Sequence, residues 1–240
     1  VYTIRNYRLT RRGQVTDRFT KALERLGSDQ RYVRIGGVLA LEQIIQDAPE
    51  QATHAAQVLG HFVRDRAPTC PRPTNAPGGE TTQTDTSLPT SPEADVQVAL
   101  TALTRPESRT HVDDRERLYL AILHLAGADL VRADLTDALL TRTNLTRADL
   151  SGADLTSAFL RRADLTHAFL DGANLTGANL AKANLTGASL HGADLTRADL
   201  GGADLTDVRG LGTEQVRSAR LNAETVLPPD IRAAVEPSST

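Results

Sequence analysis

From Leu120 to Leu205 every fifth residue is leucine, without exception. That spacing restricts the backbone severely. An α-helix advances about 100° per residue, so each step of five leaves a net rotation of about 140°. Leucines so placed wind around a helix and form no stripe. On a straight strand an odd spacing sends successive leucines to opposite faces. Neither regular element buries them together, but a chain that turns a corner every five residues does. Four such sides close a square coil of twenty residues. Alanine stands two places before each leucine from Leu130 onward, broken only by Thr143. Over three residues the Ala and Leu alternate with an outward residue, as on a strand, and the other two make the corner. Coils then stack at about 4.8 Å, the inter-strand spacing. Residues 128–207 hold sixteen pentapeptides, hence four full coils, and 118–127 add half a coil. The predicted core is Leu130, Leu135, Leu140, Leu145, Leu150, Leu155, Leu160, Leu165, Leu170, Leu175, Leu180, Leu185, Leu190, Leu195, Leu200 and Leu205.

The rest of the chain divides by composition. Residues 15–66 carry three helical stripes: Val15, Phe19, Ala22, Leu23 and Leu26; then Val38, Leu41 and Ile45 with Ile35 and Leu39; then Ala55, Leu59, Phe62 and Val63. Residues 1–66 thus read as an N-terminal α-helical unit. Gly36-Gly37 inside the second stripe predicts close helix–helix approach. Residues 67–92, rich in proline and threonine, read as a flexible linker with too little apolar surface to offset the entropy of ordering. Residues 93–117 offer one more helix, with Val96, Ala99, Leu100 and Leu103 on a face, and a connection. Residues 208–240 read as a cap and tail, with 111–119 and 213–220 expected to cover the open strand edges of the coil.

Charge and reactive groups exclude several classes. Lys+Arg 27 against Asp+Glu 30 gives a net charge of −3, which argues against a basic nucleic-acid binder. Cys70 is the sole cysteine, so no internal disulfide or Cys-rich zinc site forms. His54 and His61 share a predicted helix without a third ligand. The repeat explains the number and spacing of the aspartates without a pair of acid/base carboxylates. No phosphate-binding loop occurs. No enzymatic activity, cofactor, metal or small-molecule substrate is expected.

The recurrent units Ala-Asp-Leu-Thr-Asp and Ala-Asn-Leu-Thr-Gly follow the pattern A(D/N)LXX, and residues 118–207 resemble the pentapeptide-repeat family. The resemblance implies a right-handed quadrilateral β-helix. The expected fold class is mainly β, preceded by a small α-helical domain. The segments 13–22, 26–29 and 33–42 resemble an N-terminal arrangement of actinobacterial pentapeptide-repeat proteins that often carry a membrane-spanning helix just upstream. The 25 Arg to 2 Lys, with abundant Ala, Gly and Thr, accord with a GC-rich genome. That resemblance implies a cytoplasmic chain, held at the inner face of the plasma membrane if a longer gene product carries an anchor. Some members of the family imitate duplex DNA and inhibit or protect DNA gyrase, a role linked to quinolone resistance.

Counted from Ala128, the outward residues form four columns. The second side presents Asp134, Asp154, Asn174 and Asp194, and the fourth Asn144, Asp164, Asn184 and Asp204, each followed two places on by threonine. Short polar side chains there are expected to bond nearby backbone. The first side presents Asp129, Asp149, Phe169 and Ser189. The third stacks Leu139 under Phe159, followed by Asn179 and Asp199, and its corner carries Arg142, Arg162 and Lys182 with Arg161 beside them. Outward apolar residues beside stacked cations predict a docking face centred on Phe159, formed by Leu139, Phe159, Arg142, Arg161, Arg162 and Lys182. The sequence therefore predicts a non-catalytic scaffold with a protein partner, a second copy of the chain included. The gyrase reading ranks second: from 118 to 207 eleven Asp face seven Lys or Arg, a net of only −4, modest for a duplex mimic.

Overall fold

The computed structural model describes residues 2–70, 88–113 and 115–235, with side chains described from residue 13 onward. Most of the expected linker, residues 71–87, lies outside the described residues. The N-terminal layer consists of α1 (Tyr2–Leu26), α2 (Arg31–Asp47), α3 (Pro49–Arg66) and α4 (Ala94–Thr104), followed by the single turn α5 (Pro106–Arg109). Helix α1 starts well before Val15, the first residue of its stripe. No proline interrupts residues 2–26, so the helix continues beyond its apolar face. Leu23 and Leu39 turn outward at 42% and 49% exposure, while Val38, Leu41, Ile44, Ile45, Leu59 and Val63 are fully buried. The two glycines of α2 differ. A Cβ on Gly37 would lie 2.9 Å from the Ala22 carbonyl oxygen of α1, whereas one on Gly36 would meet nothing within 4 Å. Close approach therefore needs only Gly37.

One charged cluster ties this layer together. Arg34 Nε lies 2.6 Å from Asp95 Oδ2, joining α2 to α4, with side-chain exposures of 6% and 0%. The same guanidinium donates to the Ser28 and Asp29 carbonyls at 3.0 and 2.8 Å. Arg66 Nε reaches the same Asp95 oxygen at 3.3 Å. Charges taken from water survive when both partners are bonded in this way.

The coil follows the predicted square. Outward residues bridge in parallel at intervals of twenty: Asp134 to Asp154 to Asn174 to Asp194 on the second side, Tyr119 to Leu139 to Phe159 to Asn179 to Asp199 on the third. Leu135 N–H donates to the Asp154 carbonyl at 2.8 Å, and Asp154 N–H donates back to Ala133 at 2.9 Å. At each corner the alanine N–H returns to the preceding leucine carbonyl, as from Ala138 to Leu135 at 3.0 Å. The second corner residue takes positive φ, the pattern of a type II turn. The leucines at every fifth position from Leu130 to Leu205 are no more than 1% exposed. Thr143, at an alanine position, is 1% exposed and donates its hydroxyl to the Leu120 carbonyl at 2.7 Å.

The fold class is less β than the repeat suggests. The ladders are strings of isolated bridges, because each side turns after three residues and no strand propagates, while the helices fill much of the chain outside the repeat. The molecule combines a helical layer with a quadrilateral coil.

Nor do the two parts stand apart as bodies on a flexible tether. Val96, Leu100 and Leu103 of α4 are at most 2% exposed, and one apolar core continues from the helical layer through the coil. At the first coil, Gln97 closes the open edge with its carboxamide. Its Nε2 donates to the Asp129 carbonyl at 2.7 Å and its Oε1 accepts the Asp129 N–H at 3.0 Å. Asp134 N–H donates to the Thr104 carbonyl at 2.6 Å. The ends of the linker are fixed as well. Thr69 pairs antiparallel with Leu123, and buried His124 meets the Pro89 carbonyl through Nε2 at 2.7 Å. The N-terminal cover is thus α4 with residues 68–70, and Leu118 of the expected 111–119 cap belongs to the coil, its carbonyl accepting Leu139 N–H at 2.9 Å.

At the other end residues 209–226 form an irregular last coil, with Arg209, Arg220 and Val226 bridging to Ser189, Asp199 and Asp204. Helix α6 (Thr213–Ser218) replaces one side, and α7 (Pro229–Val235) packs against it. Gln215 Nε2 donates to the Leu190 and Ala193 carbonyls at 2.9 and 2.8 Å. A glutamine carboxamide therefore finishes the ladder at each end.

Candidate functional site

The second and fourth sides are built inward upon themselves. Thr156 N–H donates to Asp154 Oδ1 at 3.0 Å, and the same bond recurs from Thr136, Thr176 and Thr196 and from Thr146, Thr166, Thr186 and Thr206. Each Asp or Asn there closes its own corner. At Asp194 the bonds from Thr196 hold the carboxyl below its usual pKa. These carboxylates are committed to turns.

On the first side Phe169 is 43% exposed. Two residues on, Asp171 meets Ser189 and His191 of the next coil. Ser189 Oγ lies 2.5 Å from Asp171 Oδ1 and 3.0 Å from His191 Nδ1, and His191 N–H donates to Asp171 Oδ1 at 3.0 Å. Burial pushes the Asp171 carboxyl up, but the bonds from Ser189 and His191 outweigh it and hold the pKa below its ordinary value. The residue types are those of a hydrolytic triad; the geometry is not. A triad sets serine and carboxylate on opposite ring nitrogens, whereas here both meet Nδ1, and Ser189 is 5% exposed. Stacking in columns of twenty creates this contact, and reading the histidines one by one misses it.

The third side gathers the predicted docking residues. Leu139 and Phe159 stack on adjacent coils and are half-buried rather than fully outward. Arg117 lies 5.4 Å from the Phe159 ring centre, within cation–π range. Arg142, Arg162 and Lys182 occupy successive corner positions with φ of 60°, 58° and 60°. Arg161 and Arg162 are exposed, while Lys182 lies 3.6 Å from Glu224 Oε2 of the last coil. The same columns continue below the first full coil to Tyr119, 51% exposed, and Ile122, 44% exposed. Projecting the period of twenty backwards from Leu139 and Arg142 identifies both. Between α3 and this part of the coil lies a cleft of about 190 Å³, lined by Gly60, Arg64, Leu118 and Tyr119 among others.

The remaining reactive groups are structural. The Cys70 thiol donates to the Leu123 carbonyl at 3.1 Å, and burial pushes its pKa up, against nucleophilic use. His61 Nδ1 bonds the Gln57 carbonyl of its own helix. Among the described residues no group of three or more His, Cys, Asp or Glu could hold a metal ion, and no helix is long and apolar enough to cross a membrane.

Coils that stack one upon another, bridge every twenty residues and expose long flat sides define a repeat protein of the β-solenoid class. The family model for pentapeptide repeats matches in eight copies over residues 124–156, 143–180 and 173–209. The chain belongs to the pentapeptide-repeat family. It is similar to a solved pentapeptide repeat protein from the Arabidopsis thaliana thylakoid lumen, with 35% identity over 43% of this chain and 79% of that one and a TM-score of 0.32. A pentapeptide repeat protein from Nostoc shows 32% identity over 44% of this chain and 86% of that one, with a TM-score of 0.39. QnrB1, a plasmid-mediated fluoroquinolone resistance protein, shows 19% identity over 50% of this chain and 67% of that one, with a TM-score of 0.37. No curated protein matches the chain. The family supports a general repeat scaffold, and no enzymatic family is indicated.

Proposed function

We propose that this chain is a non-catalytic scaffold, a right-handed quadrilateral coil that binds a protein partner through its third side. One observation carries the proposal: Tyr119, Leu139 and Phe159 stand on three successive coils of one side, where the second and fourth sides place Asp, Asn or a buried histidine that serves the fold. Outward aromatic and aliphatic side chains in a row, with arginine nearby, have the composition of interface cores.

Cross-linking capture from cells with the full chain, set beside its Phe159→Ala variant, tests this reading, with sedimentation reporting self-association. The variant retains the circular dichroism of the parent and loses the captured protein, or loses dimerisation if the partner is a second copy. Unchanged capture and unchanged sedimentation would refute the docking face. The gyrase reading gains no support from the geometry. The carboxylates of the second and fourth sides are held in turns, and the third side carries a column of cations where a duplex mimic needs anions.

A further inference from the structure

We infer that the N-terminal half of the third side receives an acidic polypeptide segment bearing a bulky apolar anchor. The inference rests on the docking reading above and adds the chemistry of the partner.

Arg142 and Arg162 stand one coil apart, about 4.8 Å along the stack, with Arg161 beside them and Arg117 over Phe159. Like charges so close repel unless counter-charge is supplied. On the last coils the fold supplies it, through Glu224 to Lys182. Among the described residues no carboxylate lies in ion-pair range of Arg117, Arg142, Arg161 or Arg162. Of the two adjoining outward columns, the third side reads Tyr119, Leu139, Phe159 and Asn179 before its first aspartate, and the fourth brings Asp164, whose Oδ1 is taken by the N–H and hydroxyl of Thr166.

Ile122 supplies an independent sign. It opens the same corner column with φ of 67°, and among the described residues it is the only β-branched residue at positive φ. Eight other such positions are glycine. A β-branched side chain in the left-handed region is strained, and this one is 44% exposed, so burial within the chain is a poor reason to keep it. The corner itself imposes the positive φ, so what needs a reason is an exposed β-branched side chain placed there, and a contact outside the chain supplies one. The cleft between α3 and Tyr119 is lined by Gly60 and Leu118, by Arg64 and Arg117, and by Glu116, whose carboxylate accepts from Gln57 Nε2 at 3.0 Å. Its apolar lining admits an apolar side chain, while Arg64 and Arg117 meet flanking carboxylates.

Other occupants match less well. A nucleic-acid backbone would use the cations but not Ile122 or the apolar lining. A second copy would have to bring carboxylates, and its regular acidic columns already bond their own corners.

The test is selection of a phage-displayed random peptide pool on the full chain, followed by fluorescence anisotropy of the enriched peptides across a salt series. The expected winners carry Asp or Glu around Phe, Leu or Trp. Their affinity falls with salt and drops at least about tenfold for the double variant Arg142→Glu/Arg162→Glu. Ile122→Gly raises the melting temperature while weakening the peptide, a pairing that a purely structural role would not give. Enrichment of neutral or basic peptides, no enrichment, or acidic peptides indifferent to the double variant would overturn the inference. So would a DNA duplex bound more tightly than any peptide and released by the double variant, which assigns the face to nucleic acid. Cellular capture separates the two levels: a partner lost with Phe159→Ala but kept with Arg142→Glu/Arg162→Glu leaves the docking face standing and removes the acidic segment.

Discussion

In the coil, a buried leucine has counterparts twenty residues before and after it in the same surroundings; in the helical layer no two buried residues are interchangeable. Leu155 and Leu175 stand on one side, one coil apart, both 0% exposed, each N–H donating at 2.8 Å to the coil above. The helical layer relies instead on singular contacts: Gly37 against Ala22, and Asp95 receiving both Arg34 and Arg66. Repetition spreads stability over many equal parts, as in other solenoids. A layer without repetition concentrates it, and its weak points can be named one by one.

The largest effect comes from breaking the repeat with charge. Leu175→Asp buries a carboxylate with no partner and abolishes cooperative unfolding of the coil, whereas Thr176→Asn, on the outward corner, leaves it intact. Urea titration followed by circular dichroism reads both. The comparison sharpens with Leu155→Ala and Leu175→Ala, each expected to cost about 2–5 kcal/mol; clearly unequal losses would break the equivalence of coils. Next comes Asp95→Ala. Removing one partner of a buried pair costs about 3–5 kcal/mol, and hydrogen exchange should accelerate first in α2 and α4. Exchange that rises evenly through the coil would mean the layer is not the weaker part.

Smaller effects belong to the caps. Gln97→Ala frees the backbone of Asp129 at an edge that water reaches, for about 1 kcal/mol. Gln215→Ala strips part-buried carbonyls of Leu190 and Ala193 and is expected to cost more. The reverse order would show that the N-terminal cover depends on the carboxamide more than on α4. The smallest effect is in pH. Asp171 and Asp194 are held below their ordinary carboxyl pKa. Their contribution is therefore complete above about pH 4, the unfolded value, and is lost as pH falls through the lower folded values. Asp171→Asn should flatten that acid limb slightly, and an unchanged limb would dissociate the carboxylate from stability.

What could be read in advance follows the same division. The period of five dictated the square, the inward leucines and the self-bonding Asp–Thr corners, because each is a local rule repeated many times. Left-handed corners were less visible, since Arg132, Asp137, Arg142 and Arg147 occupy them as readily as glycine does. The apolar stripes located the helices but not their use. Only tertiary packing decides that Gly37 is needed and Gly36 is not, or that α4 lies between the layer and the coil. Of the candidate face, Leu139, Phe159 and the cation column were legible from the columns. Arg117 was not, because it precedes the repeat and reaches Phe159 only once the chain has folded. The Asp171–Ser189–His191 contact likewise joins residues that sequence order keeps apart.

The ladder of bridges at intervals of twenty also governs how the gene can change length. An in-frame duplication of twenty codons inside 128–207 adds one storey and keeps every later residue on its original side, so Gln215 still meets carbonyls equivalent to those of Leu190 and Ala193. A duplication of five codons preserves the leucine rhythm, yet turns everything downstream by a quarter revolution. Placed between Lys182 and Glu224, such an insertion takes Glu224 out of the column of Lys182. Growth by whole storeys is silent to the faces, and growth by single pentapeptides rewrites them.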